Sequence, residues 1–248
     1  MVREYSVCSR SKVKFMNQID QLTKVADDLW AIQRMINTPD EQGNPMEITS
    51  RMTIVRLTNG ALFLHSPVAL DADLQAELQQ LGTVAFLIAP SLWHDLFIKE
   101  YVVAYPEAQA WAAPGLLEAR PDVAFHGTLE EDRALVPGEI EHVGVRGHIA
   151  GEVAFWHVAS KTLILADLAY NVREDCTAWE RNWAQEQDGY GDFALMKYHR
   201  GYVTEPSATR ASLRRILAWD FDRVIVGHGH VLERGGKQAF ERIWSWLL

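Results

Sequence analysis

GHIAGEVAF (residues 147–155), LILADLAY (163–170) and VIVGHGH (224–230) are the stretches on which the reading of this chain turns. Each lies at a joint between a short apolar run and a polar side chain able to ligate a metal. The run 143–145 leads through Arg146 and Gly147 to His148, TLILA (162–166) leads directly to Asp167, and RVIV (223–226) leads to Gly227, His228, Gly229 and His230. A fourth joint lies upstream, where VAFLIA (84–89) leads through Pro90 to His94 and Asp95. Open α/β architectures gather their sites just beyond the carboxyl ends of strands, so position is itself an argument. Taken singly, an Asp there caps the next turn, and a His beside glycine is a hydrogen-bonded turn residue. Together the four joints supply imidazole and carboxylate, the donors that divalent ions accept when thiolate is lacking. The flanking glycines let the backbone turn sharply and approach an ion closely.

Working outward, LWAIQRMI (29–36) alternates as a strand, and residues 38–45 supply a loop with Pro39, Gly43 and Pro45. MTIVRL (52–57) and ALFLH (61–65) flank Thr58, Asn59 and Gly60. The Asn-Gly pair marks a hairpin and points to a type I′ turn, with positive φ at both central residues. Asp71 or Asp73 caps a helix whose Leu74, Leu78 and Leu81 share a face. VAFLIA reads as a strand buried on both sides. Residues 94–105 read as a helix ending before Pro106, and 109–113, 143–145, 152–158 and 162–166 as strands. An aromatic-rich interruption covers 171–206, followed by a helix over 207–219, a strand over 223–226 and a helix over 236–248. The pattern gives an α/β protein with mixed sheets. A doubly wound sheet and a two-sheet sandwich flanked by helices both write it, and no dinucleotide or P-loop text favours nucleotide binding.

Composition excludes several classes. The chain has 248 residues, a formal net charge of −9, nine histidines and two cysteines. Cys8 and Cys176 cannot build a disulfide framework or an all-cysteine zinc site, so metal chemistry must draw on histidine and carboxylate. An acidic balance argues against a nucleic-acid partner. No apolar run reaches the roughly 18 residues of a membrane span, and the first residues lack the apolar stretch of a signal peptide. The expectation is a soluble, cytoplasmic protein with a variable extension over 1–27 and one domain over 28–248.

The three opening stretches, in their order and spacing, resemble the second half of the metallo-β-lactamase-fold hydrolases. That family has a Gly-His-Thr-Pro-Gly-Ser turn, a strand ending in Gly-Asp, and a late Pro-Gly-His-Gly. RMTIVRLTNGALFLHSP (51–67) resembles the family's opening hairpin, so the likeness spans most of 28–246. Within the superfamily the chain resembles the DUF4336 group in its RMTIVRL…LHSP opening and WDFDRVI…HG close. The resemblance implies a four-layer αββα sandwich. It places His148 at the third ligand position, Asp167 at the carboxylate that bridges two metals, and His228 at the last histidine.

The first motif departs from the family. Where the family has His-x-His-x-Asp-His, this chain has Pro90-Ser91-Leu92-Trp93-His94-Asp95. Pro90 and Leu92 replace two ligands, and the final pair is inverted. The expectation is therefore one divalent ion (zinc, iron or manganese) or none. It would be bound mainly by Asp167 and His228 with Asp95 or His94, and His148 would be an additional ligand or a hydrogen-bonding neighbour. Such an ion lowers the pKa of water towards ~7, and Asp95 could orient that water or shuttle its proton.

The resemblance thus implies a metal-dependent hydrolase of a small ester, thioester, lactone or phosphoester. The alternative is a catalytically silent member that binds a ligand or partner in the same cleft. Redox chemistry at non-haem iron shares the fold but normally uses the fuller first motif. His65 is either a buried partner of a ligand or a strand-end core residue, and His230 either points to the site or lies in a surface turn. His126, His142, His157 and His199 read as structural or surface residues. The aromatic segment, with Trp179, Trp183, Tyr190, Phe193, Tyr198 and Tyr202, is either an apolar wall over the metal, hinged at Gly189 and Gly191, or packing against a sheet edge or a homodimer partner.

Overall fold

Consecutive residues of single strands enter different cores, and this alternation builds the layers. Leu62 and Leu64 pack on one side of their strand and Phe63 on the other; Leu87 and Ala89 oppose Ile88; Leu163 and Leu165 oppose Ile164; Val224 and Val226 oppose Ile225. Runs that look continuously apolar are thus strands buried on both faces.

The computed structural model describes residues 19–39, 43, 45–129 and 134–248. Cys8 and residues 1–18 of the expected extension lie outside the described residues. The first sheet runs in chain order through β1 (Thr23–Ala26), β2 (Leu29–Pro39), β3 (Pro45–Arg56), β4 (Ala61–His65), β5 (Thr83–Ala89), β6 (Gln109–Ala112) and β7 (Gly127–Thr128). The second has β8 (Ile140–Gly144), β9 (Val153–His157), β10 (Thr162–Ile164) and β11 (Arg223–Ile225), in the spatial order β11-β10-β9-β8. The helices are α1 (Ala72–Leu81), α2 (Ile98–Ala104), α3 (Leu116–Ala119), α4 (Ala178–Glu186), α5 (His199–Tyr202), α6 (Pro206–Ala218) and α7 (Gly236–Trp244).

Helices α1 to α3 cover the outer face of the first sheet through Leu74, Leu78, Ile98, Tyr101 and Leu116. Helices α6 and α7 cover the second through Leu213, Ile216, Phe240 and Trp244. Between the sheets lie Leu29, Val55, Phe63, Ile88, Val153, Phe155, Ile164 and Ile225, with the Phe63 and Phe155 rings 5.5 Å apart. This is the αββα sandwich, and each such buried ring contributes about 1.5–3 kcal/mol.

Strands β4 to β7 run parallel, as do β10 and β11. The segments after β4, β5, β10 and β11 meet at one edge of the sandwich, and the polar residues that the sequence placed after strands converge there.

Two local expectations are corrected. The β3–β4 turn is not type I′: Gly60 has φ 82° while Asn59 keeps a negative φ, and Gly60 N–H bonds to the Leu57 carbonyl. This is a type I turn over Thr58 and Asn59 closed by a left-handed glycine, the next commonest hairpin solution. The helix read over 94–105 starts only at Ile98. The Ser91 hydroxyl accepts the backbone N–H groups of Trp93 and His94, which turns the chain before a helix can form. His94 is thereby freed to face inward.

Candidate metal centre

His94, Asp167 and His228 are buried and offer donor atoms that all lie within 4.8 Å of one another. The Asp167 carboxylate sits between the imidazoles, with Oδ2 3.2 Å from His94 Nε2 and Oδ1 3.3 Å from His228 Nε2.

The far nitrogen of each ring is tied down. His228 Nδ1 lies 2.6 Å from the Thr49 carbonyl, which can only accept, so this nitrogen carries the proton and Nε2 presents its lone pair to the site in the neutral ring. Thr49 on β3 is held in turn by Glu180 of α4, whose Oε1 accepts both the Thr49 backbone N–H and its hydroxyl. The buried Arg51 donates to the carbonyls of Val226 and Gly229, on either side of His228. Burial lowers the pKa of this guanidinium to about 10, with Glu180 opposing. His94 Nδ1 bonds to Ser66 Oγ at 2.7 Å, and Ser66 reaches it from a left-handed conformation just past β4.

Gly227 is required by space. A Cβ there would lie 2.6 Å from His94 Cε1 and 2.8 Å from the Ala166 carbonyl, so the two strand ends meet only across a bare backbone. Asp167 is fixed from below by the wholly buried Glu152, which accepts the backbone N–H groups of Ala166 and Asp167 at 2.8 and 2.7 Å.

The electrostatics follow this packing. Burial alone would raise the Asp167 pKa, but the charge and hydrogen bonds of His94 and His228 hold it well below the ordinary value. Burial pulls His228 down, yet Asp167 and the Thr49 carbonyl outweigh it and the ring is raised. Burial and the neighbouring Asp167 charge push Glu152 up to about 8 against its backbone donors.

His148 is not in the cluster. Its Nδ1 accepts the Ala150 N–H at 3.2 Å, and its Nε2 lies 3.0 Å from His199 Nδ1. The neutral His148 must then donate through Nε2, which leaves His199 Nε2 as the donor to the Tyr170 hydroxyl at 3.1 Å. Tyr170 also accepts from Tyr198 at 2.9 Å, so its own proton is free for the Asp167 carboxylate it interacts with. Burial lowers His148 to about 4 and His199 to about 3, consistent with two neutral rings. His148 is thus linked to Asp167 through His199 and Tyr170.

Asp95 also turns away. Its carboxylate is paired with Arg120, which holds Asp122 as well, so it borders the cleft without joining the cluster. Pro90 and Leu92 engage the β8–β9 connection through their backbones, the Pro90 carbonyl with Val153 and the Leu92 N–H with Ala150. His65 packs edge-on against Phe155 at 5.3 Å, and its buried Nε2 has no hydrogen-bond partner among the described residues. The residue that touches a candidate ligand is its neighbour Ser66, on the opposite side of the chain. His230 bonds to Asp175 at 2.5 Å. His126 is exposed, His142 lies against Phe155, and His157 bonds to Ser160.

Tyr170 and, from the aromatic segment, Trp183, Tyr198 and Tyr202 line a cleft of about 460 Å³ that opens onto the cluster, while Phe193 joins the core under α6 and α7. Tyr170 stacks on His228 with centroids 5.9 Å apart. Sequence reasoning missed Ser66, Glu152, Glu180, His199 and Tyr170 as supports of the site. Only Glu180 left a local signal, as the third residue after the helix-capping Thr177 in a capping box.

A family model for the domain of unknown function DUF4336 matches residues 27–118. No curated relative matches the chain in sequence. Among solved structures, the chain is similar to the DIM-1 metallo-β-lactamase exposed to ceftazidime, at 15% identity and TM-score 0.60 over 91% of this chain and 96% of that one. It is also similar to the FIM-1 metallo-β-lactamase from Pseudomonas aeruginosa in its mono-zinc form, at 12% identity and TM-score 0.58 over 91% and 95%. The Flv1 flavodiiron core from Synechocystis sp. PCC6803 aligns at 14% identity and TM-score 0.61 over 92% of this chain and 60% of that one. No helix among the described residues is long and apolar enough to cross a membrane. The chain has the metallo-β-lactamase fold, and its residues 27–118 match the DUF4336 model.

Proposed function

We propose that the protein is a hydrolase with a single divalent metal ion held by His94, Asp167 and His228. The observation that carries this reading is the convergence of two oriented imidazole Nε2 atoms on one buried carboxylate at the inner end of a cleft. The donor set fits one ion: two nitrogens whose partners across the ring are tied down, plus a carboxylate, is the composition of mononuclear catalytic zinc and non-haem iron centres. It does not fit two ions, because Pro90 and Leu92 offer no donors and both nitrogens of His148 are engaged. The similar FIM-1 enzyme is described in a mono-zinc form, which supports a single ion in this fold.

When bound, the ion would supply Lewis-acid polarisation of the attacked oxygen and a water of lowered pKa. The chain's own residues do the rest. Ser66 and Thr49 fix the two rings, and Glu152 and Tyr170 fix the carboxylate between them. Among the described residues, Asp95 and Asp167 are the carboxylates lining the cleft, and Asp95 is committed to Arg120. Asp167, with Oδ2 facing His94 and Oδ1 facing His228, is the carboxylate that would hold the ion. His94, Asp167 and His228 are buried at the end of the aromatic walls, so their charge interactions are less screened than at the surface.

A second reading, ligand binding without turnover, is favoured by the loss of donors at Pro90 and Leu92. Ester hydrolysis by metal-loaded protein, abolished in Asp167→Asn, decides between them. Binding with no hydrolysis under any of zinc, iron or manganese leaves the second.

A further inference from the structure

The walls of the cleft carry chemistry of their own. Ile48, Leu92, Trp93, Leu96, Trp183 and Tyr202 face it from β3, from the segment after β5 and from the aromatic segment, and no lysine or arginine lines it among the described residues. The guanidinium nearest in the hydrogen-bond network, Arg120, is neutralised by Asp95 and Asp122. Besides the imidazoles of His94 and His228, the described residues bring the carboxylates of Asp95 and Asp167 to the cleft. Recognition of a phosphate or carboxylate along the walls needs fixed cations or a cradle of N–H donors, and among the described lining residues no lysine or arginine supplies one, which leaves positive charge to the candidate metal centre at the inner end. A volume of about 460 Å³ accommodates a small organic molecule with an apolar group of several carbons or a ring.

We propose that the cleft takes uncharged carboxylic esters, thioesters or lactones bearing an apolar or aromatic group, in preference to any substrate that brings its own negative charge, phosphoesters included. This rests on the hydrolase reading for the reaction, but not for the binding preference. Trp93 and Tyr202, with ring centroids 5.4 Å apart, would contact the apolar group at the mouth, and Trp93 is 43% exposed and so open to substitution.

A matched pair tests it. 4-Nitrophenyl hexanoate and the mono-4-nitrophenyl ester of adipic acid share leaving group and acyl length and differ by one terminal carboxylate. Their unreactive anilides serve as binding probes for metal-free and metal-loaded protein. The neutral member is expected to bind and to be hydrolysed about ten-fold or more better than its anionic mate. Trp93→Lys should narrow that gap by weakening the neutral member and admitting the anion. Preferential binding of the neutral anilide without hydrolysis of the hexanoate would overturn the hydrolase reading and leave the cleft assignment standing. Equal or better handling of the anionic member, with both hydrolysed, overturns the cleft assignment and leaves the hydrolase.

Discussion

Thr49 and His228, 179 residues apart in the chain, are joined by a 2.6 Å hydrogen bond from the imidazole Nδ1 to a backbone carbonyl, and that bond aims the other nitrogen at Asp167. The bond belongs to a chain that begins at Glu180 in α4, so the aromatic segment supports the candidate centre as well as walling it.

Glu180→Gln cannot satisfy both the Thr49 donors and the Thr177 N–H, because one arm of the amide is itself a donor. The variant should fold and lose about 10–100-fold in metal affinity, as is typical when the partner of a ligand is altered. Competition with a chromophoric chelator measures it. Unchanged affinity would mean that the Thr49 bond does not orient His228.

Gly227→Ala removes no candidate ligand, yet its methyl would fall 2.6 Å from the His94 ring. The expected outcome is loss of metal binding together with about 1–3 kcal/mol of stability, the usual range for an overpacked site. Metal content and urea unfolding read the two effects separately.

His148→Ala should retain its metal. The ring has its nitrogens on Ala150 and His199, so the cost falls on the buried network, about 1–3 kcal/mol for the unpaired His199 acceptor. Tyr170→Phe should destabilise to a similar degree by stranding His199 Nε2. If His148→Ala instead empties the site, the centre uses the family's third ligand position after all.

His65 gives a pH signature. Burial, and after it the proximity of His94, lowers its pKa to about 3 from an ordinary 6.5, so the folded chain keeps it neutral while the unfolded chain protonates it. Its contribution is intact above pH 6.5 and is lost as the pH falls from there towards 3. His65→Leu also deletes a buried nitrogen with no partner, and should exceed the wild type in stability by a margin that widens from pH 7 to pH 4. Denaturant midpoints at the two pH values test the widening.

Much of the fold was legible because strand alternation and glycine-punctuated strand ends are local features. The runs at Leu62, Leu87, Leu163 and Val224 became two-faced strands, and the joints at His94, Asp167 and His228 met at one edge. The inverted His94-Asp95 pair stayed open in the sequence because either side chain can ligate. What separates them is Arg120, twenty-five residues on, which captures Asp95, and the Ser91 turn, which delays α2. His148 stood at a ligand position by resemblance, but His199 reaches it from fifty-one residues away, and no spacing rule encodes that contact. The one-residue difference between His65 and Ser66 depends on a left-handed backbone at Ser66, which a non-glycine residue seldom adopts and a sequence does not announce.

The most direct test of the account is the metal content of purified protein by mass spectrometry, wild type beside His94→Ala, Asp167→Asn and His228→Ala. The account predicts about one equivalent of a divalent ion in the wild type, retained in His148→Ala and lost in each of those three variants. Two equivalents in the wild type, or one equivalent that survives His94→Ala, would contradict it.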